Sequence, residues 1–326
     1  MLTNHSLCKV AAIAFGMLVV PLAAAQGYPS RPIKVIVNFP PAGPTDLVAR
    51  TVGAKMGEIL GQSVLIDNQP SANGVLGTQL AIRSAPDGYT LLLSSPSHTS
   101  IAKALYGDKI PYDPIHDIAP ISLLVNSTQI IVANPALNVK TIADLVKLAR
   151  SKPGQLNFGS GGVGTPNQLG MELLKSMAKI DMVHIAYKGA APLMQDLLAN
   201  RVQLTLTSMA TVVQYINSGK LVALAVGTAT RSPVAPDVPT VAESGYPGYE
   251  VSTWFALFTQ NKTPAPIITQ LNTVIRRALA DPQVIRALTS QGAEPAASTP
   301  EFVSRQIASD FERWSKVIVE AKIVAE

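Results

Sequence analysis

Short β-branched runs alternate along this chain with longer stretches whose apolar residues recur every three to four positions, the signatures of strand and amphipathic helix. Residues 33–39 read as a strand and 45–60 as a helix. A strand over 64–67 precedes a helical stretch over 74–83, and 90–94 form a third strand. Beyond Pro114 the pattern predicts two more strands, 118–124 and 129–133. Thr141 then stands where an N-cap would, with Asp144 in the first turn of a short helix reaching 150.

A second series follows, with strands at 156–159, 182–186, 203–207 and 222–227 and helices at 165–178, 189–199 and 209–218. Strands separated by helices predict parallel pairing through βαβ crossovers, and two series predict two sheets. Residues 231–249 are rich in Pro and Gly, with little periodicity, and read as a loop returning the chain to the first sheet. A strand over 252–258 and helices over 265–280, 282–291 and 300–321 complete the pattern, the last with Thr299 as cap and Pro300 at its first position. No repeat of solenoid length is present.

The 326 residues are ample for two domains with separate cores, and 47% hydrophobic against 14% charged residues suits a soluble globular chain. The formal net charge of +5 is scattered, the longest basic run being Arg276–Arg277, so no nucleic-acid stripe exists. Residues 1–25 differ from the rest: Lys9, an apolar run over 10–22, then Ala23-Ala24-Ala25 before Gln26. This is the pattern of a cleavable signal peptide, and the run is shorter than the ~20 residues a spanning helix needs. Export to the periplasm with cleavage near Ala25 is expected. Cys8, the only cysteine, precedes the apolar run and leaves with it, so the mature chain is expected to lack disulfides, cysteine–metal sites and a cysteine nucleophile.

Two loops join a strand end to a helix start: Phe39-Pro40-Pro41-Ala42-Gly43-Pro44-Thr45-Asp46 and Gly159-Ser160-Gly161-Gly162-Val163-Gly164-Thr165-Pro166. In open parallel sheets ligands bind beyond the strands' carboxyl ends, where helix starts offer unpaired N–H groups and partial positive charge. Thr45, Ser160 and Thr165 add hydroxyls, and neither loop carries Lys or Arg, so an anion there would be held by neutral dipoles. The plainer reading of either loop alone is a tight turn with a capped helix. Asp46 reads most simply as a loop organiser, and His184, in an apolar strand, as structural. Neither loop is a P-loop, and no acidic residue stands where dinucleotide binding would place one. His5, His98, His116 and His184 are far apart, without zinc spacing, and no nucleophile–base pair is visible, so no metal, cofactor or enzymatic activity is expected.

The segments Tyr28-Pro29-Ser30-Arg31-Pro32-Ile33, Pro40 to Asp46, Ala85-Pro86-Asp87-Gly88-Tyr89-Thr90-Leu91, Pro111-Tyr112-Asp113-Pro114, Ser160 to Thr165, Ala186-Tyr187-Lys188-Gly189 and Pro239-Thr240-Val241-Ala242-Glu243-Ser244-Gly245 resemble, in this order and spacing, the Bug-type receptors of tripartite tricarboxylate transporters. The resemblance runs over about 28–319. It implies an α/β, two-domain periplasmic-binding-protein (Venus-flytrap, type II) fold with a parallel-rich sheet in each domain. Residues 26–125 and 228–326 would form domain one, and 126–227 domain two. By motif match, ligand-binding roles fall to Pro41, Ala42, Gly43, Thr45 and Asp46 on one side of the cleft. On the other they fall to Ser160, Gly164, Thr165 and Tyr187. Phe39, Ser95, Ser97, Ser208 and Met209, at strand ends, are expected to face the distal part of the ligand.

Three positions depart from the family pattern. Ala42 replaces the first of two glycines, which would strain the loop if φ there is positive. Gln168 replaces a frequent His, and Thr207 stands near a frequent Asp whose absence disfavours an amino-acid ligand. The expected function is a monomeric carboxylate receptor serving a permease. The alternatives are a receptor feeding a sensor kinase and an exported carboxylate-acting hydrolase or isomerase.

Overall fold

The computed structural model describes residues 27–39, 41–70, 74–233 and 235–324; the expected signal peptide, with His5 and Cys8, and Pro40 lie outside them. In chain order, Ile33–Val37 (β1) leads into Pro44–Leu60 (α1), which closes on Gly61 in the left-handed region. Val64–Asn68 (β2), Val75–Ile82 (α2), Thr90–Ser94 (β3) and Ser100–Tyr106 (α3) follow. Next come Ile118–Ala133 (β4), Ile142–Ser151 (α4), Asn157–Ser160 (β5), Pro166–Ala178 (α5), Val183–Ala186 (β6) and Ala190–Leu198 (α6). Leu204–Ser208 (β7), Met209–Asn217 (α7), Val222–Val226 (β8) and Ser252–Gln260 (β9) precede Ala265–Leu279 (α8), Pro282–Thr289 (α9), Ala293–Pro295 (β10) and Pro300–Glu320 (α10). Thr141 and Asp144 form a reciprocal capping box on α4.

The strands run in the order β2-β1-β3-β9-β4-β7-β5-β6, with β8 and β10 also on β4. β1 pairs in parallel with β2 and β3, and β5 with β6 and β7, as crossover helices require. β4 and β9 are reached without such crossovers and run antiparallel to their neighbours.

The two strands expected over 118–124 and 129–133 are one strand of 16 residues, and this corrects the sequence reading. From Ile118 to Thr128 it pairs with β9, and from Gln129 to Ala133 with β7 and β8, so one strand passes from the first sheet into the second. The polar residues in its middle are buried and find partners: Thr128 Oγ1 donates to Glu294 Oε1 (2.7 Å), and Ser127 Oγ lies 3.0 Å from Ser208 Oγ. Register shifts between Pro120/Ser122 and Leu123/Val125 mark irregularities on the way.

Side chains alternate along these strands, so each sheet has two apolar faces. Val35, Val37, Leu91 and Leu93 pack with α1 and α8, whereas Ile36, Leu92 and Phe258 pack with Ala81 of α2 and with Val303 and Ile307 of α10. In the second sheet Ile131, Phe158 and Leu206 pack with α4 and α5, and Ile130 and Val132 with α6 and α7. Two elements cross this division: Ile101 of α3 and Trp314, Val317 and Ile318 of α10 lie in the α4–α5 core. α3 was not visible in the periodicity because its seven residues make barely two turns, stabilised by burial of Ser100, Ile101 and Ala102.

Candidate ligand-binding site

The first loop leaves β1 and enters α1 around one carboxylate. Asp46, 2% exposed, accepts hydrogen bonds from the Ala42 amide, Arg50 Nε and Asn68 Nδ2, all at 2.9 Å. Burial alone would raise its pKa, but these donors outweigh it and hold the carboxyl below its ordinary value. The Ala42 bond matters because Ala42 sits at φ 63°, the left-handed conformation that costs a residue with a Cβ about 1–2 kcal/mol. Gly43 is extended, and no side chain caps α1. Among the described residues, the amides of Thr45 and Asp46 and the Thr45 hydroxyl have no partner, so this helix start is open to an acceptor. Pro41 is exposed.

Behind this loop Phe39 packs on His98 (centroids 4.7 Å apart) and edge-on to Phe255 (5.8 Å). Ser95 is buried there, and Ser97 is partly exposed. Among the described residues, Ser94 Oγ, Ser95 Oγ, Ser100 Oγ, His98 Nδ1 and Asn38 Oδ1 are all buried without a partner. Of these the sequence reading placed only Ser95 at the ligand, and it named His98 only as lacking zinc spacing. Asn38, a polar residue at the carboxyl end of an otherwise apolar strand, was the available signal. Burial pulls the His98 pKa down to about 4, so the ring is neutral.

The second loop is organised without any charge. The Gly164 amide donates to Gln168 Oε1 (2.7 Å), and Gln168 Nε2 lies 3.1 Å from His184 Nδ1. His184 Nε2 is 2.7 Å from Ser160 Oγ, which in turn lies 2.9 Å from the Gly162 carbonyl. An amide N–H can only face the Gln168 oxygen, so the Gln168 nitrogen must donate to His184. His184 Nδ1 is therefore the acceptor, Nε2 carries the proton and gives it to Ser160, and Ser160 gives its own to Gly162. Thr165 Oγ1 also donates to the Gly162 carbonyl (2.8 Å) and accepts from the Gln168 amide (3.4 Å). The Ser160 and Thr165 hydroxyls, expected to reach a ligand, are thus committed inside the loop. Among the described residues the amides of Gly161, Val163 and Thr165 have no partner. Burial, then the nearby Lys175, lowers the His184 pKa to about 4.

Gly164, at φ 74°, abuts α3: a Cβ built on it would lie 2.5 Å from Leu105 Cδ2. Tyr187 braces the loop through its amide, which donates to the Ser160 carbonyl (2.9 Å). Its hydroxyl is turned to Asp196 Oδ2 (2.8 Å), an acid also paired with Arg201 (2.7 Å). Ser208 sits at the start of α7 against Ser127 on the crossing strand. Met209, expected to face the ligand, is buried in the apolar cluster with Val212 and Ile130, because the chain has already turned into α7. Among the described residues no hydrogen bond or ion pair joins the two loops, no group of three His, Asp or Glu residues could hold a metal, and no helix is long and apolar enough to cross a membrane.

Two α/β units, joined by a strand that passes between them and carrying open helix starts at their strand ends, define the two-domain periplasmic-binding-protein class. The solved structure of the periplasmic binding protein BugD is similar over 92% of this chain and 100% of its own, at 32% identity and a TM-score of 0.76. Residues 48–323 match the TctC family, described as the tripartite tricarboxylate transporter family receptor, and the chain belongs to that family. Rpa4515 of R. palustris, solved with adipate, is 32% identical over 91% of this chain and 99% of its own, with a TM-score of 0.79. MatC from Rhodopseudomonas palustris, solved with bound malate, is 31% identical over 89% of this chain and 100% of its own, with a TM-score of 0.75.

Proposed function

We propose that the mature protein is a periplasmic receptor that binds a small carboxylate in the cleft between its domains and delivers it to a tripartite tricarboxylate-type permease. The observation that carries this reading is the pair of strand-to-helix loops, one on each sheet, each free of basic residues and each leaving helix-start amides without a partner. The adipate and malate found with two relatives support a dicarboxylate as the first ligand class to test, with aromatic carboxylates next. Domain one comprises 26–125 and 228–326 and domain two 126–227, with the C-terminal half of α10 lying across onto the second core. The carboxylate docks on one loop, and closure follows because the other loop reaches it only in the closed state. Residues 1–25 are removed on export, and the receptor acts as a monomer.

In this reading the site carries out no turnover, and its one nucleophile-like contact has the wrong polarity. Ser160 and His184 touch at the distance of a nucleophile and its base, a pair sequence reasoning did not find. Their polarity is reversed, however: the imidazole donates to the hydroxyl and has no lone pair there with which to take its proton. Hydrolysis of a carboxylate ester by the pure protein, lost in Ser160→Ala, would overturn this.

Thermal-shift screening of mono-, di- and tricarboxylates tests the reading. A ligand at ~100 times its Kd should stabilise the fold by about 2.7 kcal/mol. A folded protein that shifts with none of them would overturn it. Co-purification with permease subunits distinguishes delivery from signalling, for which a kinase ectodomain would be recovered instead.

A further inference from the structure

We propose that Gln168 and His184 are positioning residues of the carboxylate site: one chain of hydrogen bonds through them decides which backbone amides of loop 160–165 are left for the anion. The inference rests on the reading above that this loop binds a carboxylate. Neither residue needs to touch the ligand.

The chain starts in the loop and returns to it, passing through Gln168 and His184 on the way. At one end the Gly164 amide is consumed by Gln168 (2.7 Å), and at the other the Gly162 amide is directed at Ser160 Oγ (3.2 Å). The Gly162 carbonyl, which would repel an approaching anion, is covered by the hydroxyls of Ser160 (2.9 Å) and Thr165 (2.8 Å). Among the described residues, the loop's amides left uncommitted are those of Gly161, Val163 and Thr165. The loop is thereby sorted: the carbonyls of Ser160, Gly161 and Gly162 are tied back, and three of its donors are left over.

A loop of this composition needs such sorting. Gly162 and Gly164 adopt φ 143° and 74°, and glycine visits many other conformations at little cost. Without fixed partners, rotation of one peptide plane would present a carbonyl where an amide should be. His184 can act as the fixed point because its own ring is held, stacked on Phe158 with centroids 5.0 Å apart and bonded at both nitrogens. The direction of the whole chain follows from the Gly164 amide, which has only a proton to give. Gln168 serves because its amide offers one acceptor and one donor from a single planar group, and a neutral imidazole at that position would offer the same pair.

The test has one arm without ligand and one with it. In the full mature protein at neutral pH, nitrogen NMR of the His184 ring should show a proton on Nε2 and a bare Nδ1. Exchange of the Gly164 amide should quicken at least tenfold in Gln168→Met, which has similar length but no amide. A proton found on Nδ1, or unchanged exchange in the variant, would overturn the inference whatever the ligand proves to be. With malate and adipate as probes, calorimetry should give a Kd at least tenfold weaker for Gln168→Met than for wild type, at a temperature where both are folded, and Gln168→His should recover most of it. A purely structural role would lower the melting temperature of Gln168→Met and leave its Kd unchanged, and that result would sink the positioning role. If wild type takes up no carboxylate, the functional reading fails, while the ring and amide signals still decide whether the chain sorts the loop.

Discussion

The loop entering α1 is organised by a charged group and the loop entering α5 by neutral ones. Asp46 gathers the Ala42 amide, Asn68 and Arg50 around a carboxylate, whereas Gln168, His184 and Ser160 pass one direction of hydrogen bonding around a loop that carries no charge. An anion approaching the first loop meets a like charge that Arg50 offsets, and that guanidinium is half exposed and screened. At the second loop it meets only dipoles. The hydroxyls differ as well, since Thr45 is uncommitted while Ser160 and Thr165 are spent internally. The first loop therefore has a side chain to offer a ligand, and the second offers backbone alone.

The comparison is broken most forcefully at the glycines. Gly164→Val places a β-branched side chain at φ 74° against Leu105, so strain and overpacking add. We expect a loss of about 3 kcal/mol or more in urea unfolding, together with loss of carboxylate binding. Gly43→Val, at φ −82°, meets no backbone penalty and should keep its stability while losing binding. Equal destabilisation by the two substitutions would erase the distinction drawn here.

Acid separates the buried imidazoles from the Asp46 carboxylate next. His184 and His98 take up a proton at about 4 in the folded protein, against an ordinary value of 6.5. Between those values the unfolded chain binds more protons than the folded one, so stability must fall as pH falls, by on the order of 3 kcal/mol per histidine at most. Asp46 is held below 3.8, so its contribution is intact throughout that window and is lost only at lower pH. Unfolding free energies at pH 7.5, 6 and 4.5 should therefore decline, and His184→Asn should flatten part of the slope. Asp46→Asn should leave the slope unchanged.

Asp46→Ala attacks the other loop. It removes a buried acceptor, leaves the Ala42 amide without its partner and takes one bond from Asn68, whose Nδ2 still reaches the Phe39 carbonyl (3.2 Å), a cost of about 2 kcal/mol once Arg50, free to turn to water, is discounted. Binding should weaken in parallel, since nothing else holds Ala42 in its left-handed conformation. Retained affinity at reduced stability would show that the first loop is a turn and no more.

What the sequence disclosed and what it hid divide along a physical line. Helices whose caps and apolar periods are local, such as α1, α4, α5 and α10, were legible to within a residue or two. β4 was split in two because Asn126, Ser127 and Thr128 look like loop until partners distant in sequence, Ser208 and Glu294, are folded against them. The site behaved likewise. The two loops could be found from glycines and helix starts, and Asp46 could be assigned as organiser from its place in the first turn. The chain through His184 could not, because Ser160 and His184 meet only when β5 and β6 pair, through Phe158↔His184 and Ser160↔Ala186.

The smallest effect is expected at Ala42, and it has the opposite sign. At φ 63° alanine carries a steric cost that glycine does not, and the Asp46 bond holds the backbone there regardless. Ala42→Gly should raise stability by about 1 kcal/mol, less whatever the greater freedom of glycine in the unfolded chain takes back. A rise in the urea midpoint at constant slope would show that the first loop stores strain, which the second avoids by placing glycine at both of its left-handed positions, Gly162 and Gly164. A fall would mean that the freedom glycine adds to the unfolded chain outweighs the strain relieved at Ala42.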